Sequence, residues 1–101
     1  MNMAVLAIFQ GDISKAQYEE LRKVVRWETE QPAGALFHAC SFDESGKLHV
    51  ADVWESPELM GGFVEQRLMP AFQKLGLAAP EVSVYPVHNI NAYKALSKYA
   101  I

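Results

Sequence analysis

One cysteine, Cys40, is all the sulfhydryl chemistry this chain carries. An intrachain disulfide is therefore impossible, and a reducing, cytoplasmic setting is the expected one. There is no CxxC pair and no HExxH, so zinc lacks the three or four convergent ligands it needs. His38-Ala39-Cys40 puts two donors on one side of a strand, with His49 a possible third, and that is too few for an expected metal site. No apolar run approaches the roughly 20 residues of a membrane span, and the first residues show neither a basic n-region nor a long apolar h-region. No membrane association or leader is expected. Basic residues are in deficit: the formal net charge is −3 and the pI about 5.5, where a nucleic-acid footprint is normally basic. Glycine-rich phosphate loops are missing too, because Gly61-Gly62 lacks GxGxxG spacing and does not follow a strand.

What is present is enough to build a core. Half of the 101 residues are hydrophobic and 21% are charged, which excludes a disordered chain and fits one domain over 1–101. A domain this small buries a modest share of its surface, so a partner subunit would add stability.

The pattern along the chain reads βαββαβ. Residues 3–10 form a short continuous apolar run before Gly11-Asp12, expected as a strand buried on both faces. Ser14, with Gln17 three residues on, marks a capping box. The following helix carries Tyr18, Leu21, Val24, Val25 and Glu28 on one face and offers Glu19 to Lys23 as an ion pair, and Pro32 and Gly34 are its expected end. Residues 35–42 and 47–54 are two strands around the turn Asp43-Glu44-Ser45-Gly46. If Phe42 pairs with Lys47, His38, Cys40 and His49 share a face. A slip of one residue instead groups His38 with Asp52 and Trp54, and the pattern fits both.

Ser56-Pro57-Glu58 starts a second helix, with Met60, Val64, Leu68, Phe72 and Leu75 as its buried stripe. Gly61-Gly62 weakens it and could permit close backbone approach, and Pro70 should kink or restart it. Residues 81–87 are a fourth strand that Pro86 confines to an edge, and residues from about 89 to 101 form an arm or short helix. This order is the ferredoxin-like α+β arrangement: a four-stranded antiparallel sheet with two helices on one face. Its other face would be bare and apolar, which two-fold pairing with a second copy resolves. An RNA-recognition domain has the same order, but residues 47–54 lack the paired stacking aromatics it needs.

Residues 49–58, His-Val-Ala-Asp-Val-Trp-Glu-Ser-Pro-Glu, followed by Phe63-Val-Glu-Gln-Arg-Leu-Met-Pro-Ala-Phe72, resemble the antibiotic-biosynthesis-monooxygenase-like family of dimeric α/β barrels. In that family a strand often ends in Trp-Glu-Ser and leads into a helix with an apolar stripe. The resemblance implies a ferredoxin-like subunit, a homodimer whose sheets form a barrel, and a small cavity between sheet and helices. The family includes cofactor-free oxygenases on aromatic polyketides and haem-degrading enzymes. The haem branch carries an Asn on the first strand, then a Trp and a His on the second helix. Here Phe63 and Gln73 take the Trp and His positions and residues 3–10 hold no Asn, so haem degradation is disfavoured.

Candidate site residues follow. Trp54 could stack on an aromatic ligand or simply pack at the strand–helix junction. Phe63 and Arg67, on the second helix, are further ligand-binding candidates, and Arg67 could hold an anion or snorkel to solvent. In the slipped register Asp52 could orient His38 as a general base; otherwise the two are unrelated polar residues. His88, at the end of the last strand, is a third catalytic candidate or an exposed strand-end histidine. Cys40 reads as a small core residue. The expected function is a homodimer that binds a small apolar or aromatic molecule and oxygenates or isomerises it without a bound cofactor. A non-catalytic ligand-binding or regulatory module and a purely structural dimerisation domain remain the alternatives.

Overall fold

The first strand, β1 (Val5–Gly11), alternates rather than being buried on both sides. Val5, Ala7 and Phe9 are buried, while Leu6, Ile8 and Gln10 are half-exposed. Within the single chain, burial is one-sided: in this computed structural model, which describes residues 3–101, one face of β1 meets the helices and the other, expected to be buried as well, meets no element of the same chain.

Helix α1 (Lys15–Val25) begins as its sequence requires. The Ser14 hydroxyl accepts from the Gln17 N–H at 3.1 Å, and the Ser14 N–H donates back to the Gln17 side chain at 2.9 Å. Tyr18, Leu21 and Val25 form its buried stripe. The helix ends earlier than Pro32 and Gly34 suggest, because Arg26 adopts the left-handed conformation (φ 58°) and its N–H closes on the Arg22 carbonyl. Glu28 therefore lies beyond the helix, where it accepts from Arg22. Glu19 pairs with Arg22 and Lys23 with Glu20, at i,i+3 spacing in place of the expected Glu19–Lys23 pair.

Strands β2 (Ala35–Phe42) and β3 (Leu48–Trp54) form the central hairpin, and β4 (Glu81–Pro86) completes an antiparallel sheet in the order β2-β3-β1-β4. Phe42 pairs with Leu48 and His38 with Asp52, so the slipped register is the real one. Pro86 ends an edge strand, where its missing donor costs nothing. The hairpin turn is held by Asp43, whose carboxylate accepts from the Ser45 hydroxyl, from His49 Nε2 and from the backbone N–H groups of Ser45 and Lys47. The Ser45 hydroxyl, then His49, then the Lys47 N–H hold this carboxyl well below the ordinary range. A depressed folded-state pKa contributes stability above the unfolded value of about 3.9 and loses it as pH falls toward the folded value. The turn should therefore loosen below about pH 4. Faster exchange of the Ser45 and Lys47 amides in acid, abolished as a pH effect in Asp43→Ala, is the expected result.

The second helical stretch is in three parts: α2 (Pro57–Phe63), a π-helical turn (Val64–Leu68) and α3 (Met69–Leu75). The Ser56 hydroxyl caps α2 by accepting from the Leu59 N–H. Pro70 has no N–H to donate, and its ring would crowd the Gln66 carbonyl in a regular helix. The wider turn takes up this conflict, with the Met69 N–H reaching the Val64 carbonyl, and the helix restarts at Met69. Gly61 and Gly62 face open space, so the close approach expected of them does not occur. Gly34 is the glycine the fold requires: it has φ 85°, and a Cβ there would press into Leu59 of α2.

The core lies between the sheet and α1 and α3, built from Ala7, Phe9, Ile13, Tyr18, Leu21, Val25, Leu48, Val50, Ala71 and Phe72. On the opposite face Leu6, Ile8, Phe37, Ala51, Val53 and Tyr85 lie together by register, with Gln10, His49 and Glu81 toward one end. Beyond β4 the chain forms a 3₁₀ helix (Lys94–Tyr99), and every residue from His88 to Ile101 is exposed. No helix is long and apolar enough to cross a membrane among the described residues.

Candidate active site

Hairpin register decides the polar centre of the molecule. Pairing His38 with Asp52 points both side chains to the helix face, where α1 brings Tyr18 against them. The Tyr18 hydroxyl lies 2.8 Å from His38 Nε2, and His38 Nδ1 lies 2.6 Å from Asp52 Oδ1. Trp54 Nε1 donates to Asp52 Oδ2 at 3.4 Å, a long bond. The result is one chain of polar contacts, Tyr18–His38–Asp52–Trp54, spanning α1, β2 and β3.

Its proton arrangement follows from the environment. Burial, followed by the neighbouring Cys40, pushes the Tyr18 hydroxyl well above the ordinary tyrosine range. Tyr18 therefore keeps its proton and donates it to Nε2. The imidazole must then carry its own proton on Nδ1 and donate it to Asp52. Asp52 is the buried charged residue of the core, and two donors satisfy it. Cys40 is half-buried and its thiol is also raised, chiefly by burial, which suits a packing role and not a nucleophile.

The imidazole is accessible from outside. Its strand, β2, is an edge, and the His38 side chain is 35% exposed. Trp27, just past α1, flanks it with ring centroids 5.4 Å apart and also touches Tyr18 at 5.6 Å.

The ligand-binding candidates are brought together, but they spend their contacts on one another. Trp54 is 3% exposed and packs on Phe63 with centroids 5.4 Å apart. The Arg67 guanidinium lies over the Phe63 ring at 5.2 Å and donates to the Val25 carbonyl at 2.8 Å. That carbonyl belongs to the last turn of α1, where a cation is favoured by the helix dipole. Arg67 thus ties the π-helical turn to α1 instead of snorkelling to solvent. His88 is exposed beyond β4 and takes no part in the cluster. His49 lies on the opposite face with Asp43. Among the described residues no group of three or more His, Cys, Asp or Glu is placed to hold a metal ion.

Tyr18 and Trp27 are the members that sequence reasoning passed over. Tyr18 read as one apolar stripe residue among four; the signal for more was its hydroxyl, which needs a partner once buried. Two hollows among the described residues are shallow and open. One is lined by Ser14, Gln17, Ser45 and Lys47, the other by Glu19, Arg22, Lys23 and Glu28. Neither reaches His38, Asp52 or Trp54, so neither is the cavity implied between sheet and helices.

No family model matches the chain, and no curated protein does. Solved structures do. A candidate antibiotic biosynthesis monooxygenase from Chloroflexus aurantiacus is 16% identical, aligned over 88% of this chain and 97% of its own, with a TM-score of 0.65. SnoaB from Streptomyces nogalater, a cofactor-independent oxygenase, is 13% identical over 88% of this chain and 95% of its own, with a TM-score of 0.62. MupZ from Pseudomonas fluorescens is 16% identical over 98% of this chain and 76% of its own, with a TM-score of 0.64. At such identities the likeness speaks to architecture, and the chain has the ferredoxin-like α+β fold of the antibiotic-biosynthesis-monooxygenase-like proteins.

Proposed function

We propose that the chain works as a homodimer that takes up a small apolar or aromatic molecule beside His38 and moves a proton on it without a bound cofactor. This is the chemistry of a cofactor-independent oxygenase or isomerase. The observation that carries the reading is the Tyr18–His38–Asp52 chain, with bond lengths of 2.8 and 2.6 Å. In it, Tyr18 passes its proton to Nε2 while its oxygen takes a proton from the ligand. The ligand keeps the electron pair as an anion, and the imidazole becomes an imidazolium held by Asp52. The anion then either reacts with dioxygen or regains a proton at another carbon. Trp27 supplies an aromatic surface at the exposed edge of the imidazole. The fold shared with SnoaB supports the oxygenase form.

The test is proton exchange. Protein in D₂O with aryl ketones bearing an acidic C–H should speed deuterium incorporation, read by mass. His38→Gln and Tyr18→Phe should each reduce that by about 10²-fold or more. Exchange no faster than buffer, or unaffected by His38→Gln, rejects the reading. Native mass spectrometry of protein purified without denaturation would identify a co-purifying ligand.

A second reading has its own observation. Both ring nitrogens of His38 are engaged, and the space around Trp54 is filled by Phe63. Those facts favour a non-catalytic binding module or a structural dimerisation domain, and the exchange experiment separates them from catalysis. Haem degradation is not the proposed activity. Titration with haemin should give no ordered Soret shift, whereas stoichiometric binding and ring opening would overturn the placement of Phe63 and Gln73.

A further inference from the structure

Helix α1 ends on a peptide group that is held from both sides. The Arg26 N–H donates to the Arg22 carbonyl at 2.9 Å, and the carbonyl of the same peptide group, that of Val25, accepts from Arg67 Nη2 at 2.8 Å. The last carbonyls of a helix have no intrahelical donor, so the guanidinium supplies one that α1 lacks. Arg67 is itself fixed: its guanidinium stands over the Phe63 ring at 5.2 Å, and its backbone lies in the π-helical turn Val64–Leu68. Immediately past the held peptide, Arg26 takes φ 58°, a left-handed conformation that is unfavourable for a residue with a Cβ and persists where its surroundings impose it. The next residue is Trp27, whose ring centroid lies 5.4 Å from that of His38 and 5.6 Å from that of Tyr18. Beyond it, the ion pairs Arg22–Glu28 and Arg26–Glu30, both 3.1 Å, and the Glu30 N–H on the Arg26 carbonyl tie the following turn back to the helix. Exposed pairs of that kind contribute little. The Arg67 bond is partly buried and comes from a different element.

We infer that Arg67 is a positioning residue of the proposed site: by holding the Val25–Arg26 peptide it fixes the direction in which the chain leaves α1, and so lays Trp27 against His38. A rotation of that peptide would change the Arg26 dihedrals and carry the indole, one residue further on, off the edge of the imidazole. Arginine suits the role because its planar fork donates to the carbonyl while its face stays on Phe63, whereas a lysine ammonium is a point charge without that plane. The π-helical turn that takes up Pro70 thus contributes to the site without supplying a group that meets the ligand. The bearing of Arg67 on turnover rests on the proton-transfer reading; its placement of Trp27 does not.

The test compares the unsubstituted chain with Arg67→Met, which keeps an apolar stem beside Phe63 and loses the donor. Far-UV circular dichroism checks that the variant folds; should it not, Arg67→Gln, shorter and uncharged, is read in its place. Proton NOEs between the Trp27 indole and the His38 ring are expected in the unsubstituted chain and lost in the variant. Their absence from the unsubstituted chain, or their persistence in the variant, rejects the inference. In the deuterium-exchange assay with an aryl ketone, Arg67→Met should raise KM by about tenfold and leave kcat within about twofold. Trp27→Leu should do the same, and Arg67→Met/Trp27→Leu should be no worse than Trp27→Leu alone, because both substitutions remove one contact. An unchanged KM in Arg67→Met, or additive losses in the double variant, also rejects the inference. No exchange by the unsubstituted chain, with the NOEs lost in Arg67→Met, rejects the proton-transfer reading and leaves Arg67 as the residue that places Trp27 on His38.

Discussion

Trp54→Ala is expected to destabilise the chain by about 3–5 kcal/mol, the usual cost of emptying a large aromatic site in a core. Trp54 is 3% exposed and stands at the junction of β3 and α2, packed on Phe63. Its removal leaves a void between sheet and helix and takes one of two donors from the buried Asp52. Trp54→Phe keeps most of the volume but loses the donor, and because that hydrogen bond is long its loss should cost about 1 kcal/mol or less. Denaturant melts of the two variants measure both effects. If Trp54 instead meets a ligand, Trp54→Phe lowers ligand affinity by clearly more than it lowers stability. Similar stability in Trp54→Ala and the unsubstituted chain would show that the site collapses or is not core.

Ile8→Asp is expected to separate the dimer into monomers. Ile8 lies on the open sheet face, between Ala51 of β3 and Ser83 of β4, in the apolar area shared with Leu6, Phe37 and Val53. In an isologous interface one substitution enters twice, and each buried carboxylate would lack a partner. A cost of about 2 kcal/mol or more per copy, the range of an interface hot spot, weakens association by roughly three orders of magnitude. Light scattering at low micromolar concentration should report about twice the 11.3 kDa chain mass before substitution and the chain mass after it. Far-UV circular dichroism should be unchanged, since Ile8 is already half-exposed in the single chain. A dimeric Ile8→Asp variant would place the interface elsewhere.

Much of the fold was legible because its signals are local. The Ser14 capping box, the Ser56-Pro57 helix start and the Asp43 to Gly46 turn act within a few residues, and each is found as expected. Pro70 announced an interruption, but not its form, because a π turn depends on how the flanking helices pack. Helix α1 ends before Pro32 and Gly34 for a related reason: Arg26 adopts a left-handed conformation that its side chain gives no hint of. The ion pairs also moved, since Arg22 can reach both Glu19 and Glu28 and so displaces the expected partner.

The amino-acid sequence by itself determined the element order, the helix starts, the hairpin turn, the edge position of β4 and the apolar character of both sheet faces. It did so through hydrophobic period, capping groups and turn residues, which are read over short windows. The tertiary structure alone decided the site. His38 and Asp52 are 14 residues apart and Tyr18 is 20 from His38, so their meeting depends on one register and one helix placement. Strand side chains alternate with a period of two, and a slip of one residue turns His38 away from Asp52 at little change in local pattern. Burying Leu48, Val50 and Trp54 fixes the helix face of β3, and packing Cys40 and Phe42 of β2 against the same core selects the observed pairing, which carries Asp52, His38 and Tyr18 into contact.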